Sequence, residues 1–206
     1  MKGAAGLPML GAWVALVAAS AALPPAAPAH RLDPFLARLR SHGRAEVRLE
    51  RRSLDAPAGE APVRGRAVLE PPDRARLEFD ATHACVTLRS DGGEWLQPQL
   101  KQLVRLGPGQ SRGALEWWNL LLGHGNWEER ELEGRRILIV RGAEAEAADS
   151  AWVTLDTRGL PTLVEVHVAG GNREQCRLDH WSFGAARGRS EFVLAPPHGF
   201  EVVELR

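Results

Sequence analysis

The sequence predicts an α+β fold, a single strongly curved antiparallel sheet wrapped around helices. Three observations predict it. Apolar and polar residues alternate along many short segments, the period of half-buried strands. Turn residues join these segments at short intervals, as in a meander of hairpins. One segment in the middle, Ala114–Leu122, is instead apolar nearly all round at helical spacing, with strands on both sides of it. A helix of that kind has to be buried. The 206 residues suit one domain.

The elements follow in order. Asp33 to His42 reads as a short helix: Asp33 as cap, Pro34 at the first helical position, Phe35, Leu36 and Leu39 on one face, Gly43 at the end. Ala45, Val47 and Leu49 then alternate with Glu46, Arg48 and Glu50. Asp55–Pro62 is a polar turn, Val63–Leu69 a weaker strand, and Pro71-Pro72-Asp73 a break. Ala75, Leu77 and Phe79 alternate with Arg74, Arg76 and Glu78 in the clearest strand of the chain. Ala84–Arg89, the turn Ser90–Gly93, Glu94–Gln97 and Leu100–Leu106 continue the meander. Gly107-Pro108-Gly109 is a loop before the apolar helix, and Gly123 suits the cap after it. Strands resume after Trp127, at Ile137–Arg141, Trp152–Asp156, Leu163–Val168, Gln175–Phe183, Glu191–Leu194 and Phe200–Leu205. Roughly ten or eleven strands are expected, Glu191–Leu194 leading through Pro196-Pro197-His198-Gly199 into Phe200–Leu205.

The first segment reads as a targeting signal. Lys2 precedes an apolar stretch from Leu7 to Leu23, and small residues end at Ala27-Pro28-Ala29. This is the layout of a secretory signal peptide with an A-x-A site. Cleavage is expected after Ala29, with Ala21 or Ala22 as alternatives. Residues 1–29 are then the signal and residues 30–206 a single exported domain, expected in the periplasm.

Lys+Arg is 26 and Asp+Glu is 26. That balance argues against a general nucleic-acid binder, which needs excess positive charge to release counterions. No nucleophile elbow, P-loop, H-E-x-x-H or dinucleotide fingerprint is present. Asp80 and Asp91 sit near strand ends, where turn chemistry accounts for them. The sequence is therefore read as a binding protein, not an enzyme, and no cofactor is implied. Cys85 and Cys176 are the two cysteines. In an oxidising compartment they either pair, worth about 4 kcal/mol for so long a loop, or stay as separate buried thiols. A zinc site from His83, Cys85, Cys176 and His180 is a third arrangement, without supporting spacing.

Tryptophan stands out, with seven Trp and no Tyr. Trp117 and Trp118 are neighbours, so on a helix they diverge by about 100°. One of them has to face a second apolar environment, such as a cavity for an acyl chain. Trp118 together with Leu121 and Leu122 would face the sheet. Leu77, Phe79 and Trp95 would meet them from the strands.

Three stretches are similar to the LolA-like periplasmic lipoprotein carriers. A short helix runs into a strand, Phe35–Leu39 then Ala45–Leu49. Pro72-Asp73-Arg74-Ala75-Arg76-Leu77-Glu78-Phe79 is followed by Ser90-Asp91-Gly92-Gly93-Glu94-Trp95 and Lys101-Gln102. The end, Phe192-Val193-Leu194-Ala195-Pro196-Pro197-His198-Gly199-Phe200-Glu201-Val202, resembles the family's F-x-F-x-P-P-x-G-x-x-V. The resemblance implies an unclosed antiparallel barrel with helices as a lid over an apolar cavity. It implies a monomeric carrier of lipoprotein acyl chains, released by an inner-membrane ABC-type complex and passed to an outer-membrane acceptor. Lipid-binding residues would be Leu77, Phe79, Trp95, Trp118, Leu121 and Leu122. Where the family has an arginine before the turn proline, bonded to the lid, this chain has Pro71, with Arg74 or Arg76 as substitutes. Cargo of another kind, a glycolipid or phospholipid, follows from that departure. The same fold also resembles regulators that bind an anti-sigma factor, which is the alternative function.

Overall fold

The computed structural model describes residues 32–55, 61–111, 118, 121–122, 126–132, 135–141, 150–167 and 173–205. The expected signal peptide, Trp117 and Gly123 lie outside them.

Helix α1 (Asp33–His42) leads into twelve strands: β1 (Arg44–Ser53), β2 (Val63–Glu70), β3 (Arg74–Phe79), β4 (Cys85–Arg89), β5 (Gly92–Gln97), β6 (Gln102–Leu106), β7 (Asn126–Leu132), β8 (Arg135–Arg141), β9 (Ser150–Leu155), β10 (Pro161–His167), β11 (Arg173–Gly184) and β12 (Glu201–Leu205). They form one sheet in the order β12-β6-β5-β4-β3-β2-β1-β11-β10-β9-β8-β7. The sheet does not close, because β12 and β7 are its two edges. The predicted curved antiparallel sheet is thus present, with one exception: β12 runs parallel to β6. Among the described residues no helix is long and apolar enough to cross a membrane.

The period-two pattern separates two faces. Ala45, Val47 and Leu49 on β1, Ala67 and Leu69 on β2, and Ala75 and Leu77 on β3 are buried in one cluster on the concave face. Their neighbours in sequence form a charged lattice on the other face, including Arg66–Glu78 at 2.7 Å and Arg64–Glu50 at 3.2 Å. Such exposed pairs add little stability each.

Helix α1 closes one end of the concave side. Asp33 does not cap it; Leu32 is the N-cap and makes no side-chain cap bond, while Asp33 sits in the first turn, where its charge suits the helix dipole. Gly43 ends the helix in the left-handed conformation, its N–H donating to the Leu39 carbonyl at 2.7 Å. Phe35 packs edge-on against Trp181 at 4.9 Å and against Phe183 at 6.0 Å. Those two aromatics face inward because β11 carries a bulge. Its register with β1 shifts between Glu46 and Arg48, and His180 takes φ 54° there. One extra residue reverses the alternation. Cys176 and Leu178 face the core before the bulge, and Trp181 and Phe183 after it.

One strand was not foreseen, and three expectations give way. The segment β7 is a strand, although Glu128-Glu129-Arg130-Glu131 has no apolar alternation to announce it; its pairing with β8 carries it. Residues 191–194 are not a strand. They belong to a 3-10 turn, Arg189–Phe192, and an extended run after it. Leu100 and Lys101 belong to the turn before β6, not to the strand. Residues 108–111 are helical instead of looped, and helix is present again at 118 and 121–122 within the predicted Ala114–Leu122 segment.

The stretch from 185 to 193 crosses the convex face as a strap. Buried Glu70 accepts the backbone N–H groups of Arg187 (2.9 Å) and Gly188 (3.1 Å) and pairs with Arg74 at 3.1 Å. Arg44 donates to the Glu191 carboxylate at 2.8 Å, and Arg76 to the Glu191 carbonyl at 2.7 Å. Arg89 donates to the Phe192 carbonyl and grips Glu94 with two further bonds, at 2.8 and 3.1 Å. Burial works to raise the Glu94 carboxyl, but the Arg89 and Thr87 hydrogen bonds outweigh it and hold it below the usual carboxylate range.

Leu39 is fully buried under α1. Leu39→Ala is therefore expected to lower stability by about 2–5 kcal/mol through the cavity it leaves. Urea unfolding followed by circular dichroism measures this.

Candidate functional site

The concave face is filled unevenly. Turns 71–73 and 90–91 lie at the end occupied by α1; turns 80–84 and 98–101 lie at the opposite end, as do Arg51 and Val63. Between the ends lies a cavity of about 770 Å³. Leu49, Leu77, Val86, Leu88, Leu106 and Trp118 form its apolar wall. Cross-strand register explains the strand residues: Leu77 faces Val86, which faces Trp95, so one row of side chains projects to the same side.

Four of the six predicted lipid-binding residues, Leu77, Phe79, Trp95 and Trp118, line this cavity. Trp118 is 1% exposed and also part of the main core cluster. Leu121 and Leu122 are in that cluster but not in the cavity wall. A helix turned to bring Trp118 to the space carries them past it into the packed interior. Sequence reading missed Val86, Leu88 and Leu106. Their signal was there, in the alternation of β4 and β6, which puts them on the same face as Leu77. It also missed Arg51 and Glu174, the two charged residues in the lining among the described residues. The Arg51 Nε donates to Glu174 at 3.0 Å and Nη2 at 2.5 Å.

Helical residues 108–111 are fixed to the β4–β5 hairpin by one buried hydroxyl. Ser111 Oγ donates to the Arg89 carbonyl at 2.6 Å and accepts from the Arg89 N–H at 3.1 Å. Gly93 permits the approach: a Cβ there would lie 2.4 Å from the Thr87 carbonyl and 3.2 Å from Ser111 Oγ.

Arg74 and Arg76 do not replace the family's lid arginine. Both project to the face opposite Leu77. Arg74 bonds the Pro71 carbonyl and Glu70, and Arg76 bonds Glu78 and the Glu191 carbonyl. Their positions in β3 tie the C-terminal strap, on the other side of the sheet from the helical residues.

The cysteines are separated in the same way. Both are free and buried. Cys176 lines the cavity on the concave face; Cys85, between Glu78 and Leu96 in register, belongs to the convex face. They cannot pair across the sheet, nor can His83 and His180 join them around one ion. Among the described residues no three His, Cys, Asp or Glu side chains converge as a metal site.

No protein-family model and no curated protein matches the chain. Solved structures do. An uncharacterised conserved protein from Thermus thermophilus is similar at TM-score 0.51 and 13% identity, over 85% of this chain and 97% of that one. That likeness is one of fold. A LolA superfamily protein from Nitrosomonas europaea is similar at TM-score 0.45 and 9% identity, covering 80% and 96% of the two chains. A putative outer membrane lipoprotein-sorting protein domain from Vibrio parahaemolyticus follows at 0.41 and 12%, covering 78% and 95%.

The thiols yield a pH prediction. Burial pushes Cys176 up to about 12 and Cys85 up to about 11 from the ordinary 9.0. Above pH 9 the unfolded chain loses these protons while the folded chain keeps them, so stability falls as pH rises from 9 toward 12. Thermal melting between about pH 8 and 11 is expected to show this fall, and Cys176→Ala to make it shallower.

Proposed function

We propose that this protein is a lipid carrier that holds acyl hydrocarbon in the concave cavity without covalent chemistry. The observation that carries the reading is the cavity: about 770 Å³, walled by apolar side chains on the concave face of an unclosed sheet, with Trp95 in its lining partly exposed. A folded protein ordinarily fills such space, because unfilled apolar walls forfeit dispersion contacts. A cavity left unfilled suits a ligand of the same chemistry.

The resemblance of three sequence stretches to the LolA-like carriers supports the same reading. On it, residues 1–29 are a cleaved signal peptide, residues 30–206 the mature domain, and the periplasm its location. Leu77, Phe79, Trp95 and Trp118 contact the chain directly, and Leu121 and Leu122 support Trp118 from behind. The donor would be an inner-membrane ABC-type release complex and the acceptor a protein of the outer membrane, with lipoprotein acyl chains as the family's cargo. The driving force is transfer of hydrocarbon between apolar environments, at about 0.8 kcal/mol per methylene.

Trp95 offers a clean test, since it lines the cavity and is 41% exposed. Trp95→Ala is expected to weaken binding of an acylated peptide while changing stability by about 0.5 kcal/mol or less. Leu39→Ala is expected to do the reverse. Fluorescence titration beside thermal melting checks both. Wild-type protein that binds no acylated peptide and carries no co-purified lipid would remove the reading.

A further inference from the structure

The polar residues lining the cavity are not scattered. Arg51, Thr82, Gln97, Gln99 and Glu174 all belong to the end of the sheet away from α1, at the β3–β4 and β5–β6 turns and the neighbouring ends of β1 and β11. Leu88, Leu106 and Trp118 form the inner end, where Gln110 is the one polar exception among the described residues. The outer end also carries exposed apolar side chains, Val63 at 44% and Leu100 at 64%. The cavity is thus amphipathic along its length, and a ligand matched to it is apolar at one end and polar at the other.

A methylene occupies about the volume of a water molecule, so a sixteen-carbon chain needs roughly 480 Å³. The cavity, at about 770 Å³, has room for such a chain.

Arg51 defines the polar part. It is the sole cation in the lining among the described residues. Glu174 engages its Nε and one N–H of Nη2. A guanidinium has five N–H donors in a fixed fork, so three are left to meet an oxyanion. Because Glu174 already balances the charge, an arriving anion adds hydrogen bonds without neutralising a lone cation.

We propose that the cavity takes an acyl lipid with an anionic head group, an acyl chain reaching inward to Leu88 and Trp118 and the head held by Arg51 at the end away from α1. This rests on the lipid-carrier reading and narrows its cargo to anionic amphiphiles. A fatty acid, a lysophospholipid and an acylated acidic peptide share that chemistry.

The test uses the full-length protein with two probes, palmitoyl lysophosphatidic acid and monopalmitoylglycerol. Native mass spectrometry detects bound lipid, and tryptophan fluorescence gives affinities. The neutral monoglyceride should bind about tenfold more weakly, the loss of one charge-assisted interaction. Arg51→Met, alone and together with Glu174→Gln so that no lone carboxylate remains, should erase the advantage of the phosphate over the monoglyceride, while Arg51→Lys retains part of it. A phosphate advantage that is absent, or that survives in the double variant, overturns the head-group assignment. If neither the two lipids nor an acylated peptide bind, it is the lipid-carrier reading itself that fails. Palmitate and a singly palmitoylated acidic peptide, run in parallel, distinguish the sources of the anionic head.

Discussion

The pairing of β1 with β11 holds the molecule together. In sequence the two strands are more than 100 residues apart, yet they exchange partners from Arg44↔Gly184 to Ser53↔Glu174. On one side of this seam lies the meander β1 to β6, and on the other β7 to β11. Either meander alone would expose a long, half-apolar edge here, and unpaired backbone groups on such an edge invite aggregation. The seam also fixes α1. Only Gly43 separates that helix from β1, so α1 has to fold back over the neighbouring strand, where Trp181 and Phe183 receive Phe35. The β11 bulge turns those two rings inward. Seam, bulge and helix are therefore one packing unit, formed by contacts distant in sequence, which makes this step entropically costly.

From that unit the difference between the two ends of the concave face follows. One end receives α1 and its aromatic partners and is solidly packed. The opposite end receives Leu49, Leu77, Phe79 and Trp95 from the strands, and these do not span the space between them. The sheet cannot collapse to fill it. Its curvature is held from outside, where Glu70, Arg44, Arg76 and Arg89 bind the 185–193 strap across β1 to β4. Breaking such buried charged contacts leaves polar groups without partners, a heavier cost than their net contribution while intact. The charged convex face thus braces the sheet behind the cavity.

Strands with a strict alternation were legible in the sequence. In β1 and β3 both the element and the direction of each side chain can be read from period two. That same alternation places Arg74 and Arg76 on the face away from Leu77, so their inability to reach a helix over the concave face was already present in the residues. Elements whose reason lies in distant partners were not legible. Nothing local marks Asn126–Leu132 as a strand, and nothing local makes β12 run parallel beside β6. The bulge left a trace, since inward residues change from Cys176 and Leu178 to Trp181 and Phe183. A regular strand cannot put all four on one face. Among the site residues, Leu77, Phe79 and Trp95 followed from strand phase. The separation of Trp118 from Leu121 and Leu122 did not, because the three share one helix face and only the placement of the helix along the sheet decides which turn meets the cavity.

On the proposed reading, the incomplete fit between cavity and chain has a use. Sixteen methylenes fully buried would be worth about 13 kcal/mol at 0.8 kcal/mol each, an affinity near the nanomolar range before the costs of association. A carrier with that grip would exchange its cargo slowly. A chain of roughly 480 Å³ in a space of about 770 Å³ leaves part of the wall without neighbours, and missing contacts of that kind forfeit dispersion energy. Exposure of Val63, Trp95 and Leu100 at the end away from α1 leaves further methylenes partly in water. Both effects weaken holding while keeping the pocket apolar, so the chain remains far better off inside than in water and can still leave for another apolar site. The polar end works in the same direction. Arg51, already engaged by Glu174, offers a head group hydrogen bonds but no unpaired charge, and so orients the ligand more than it retains it.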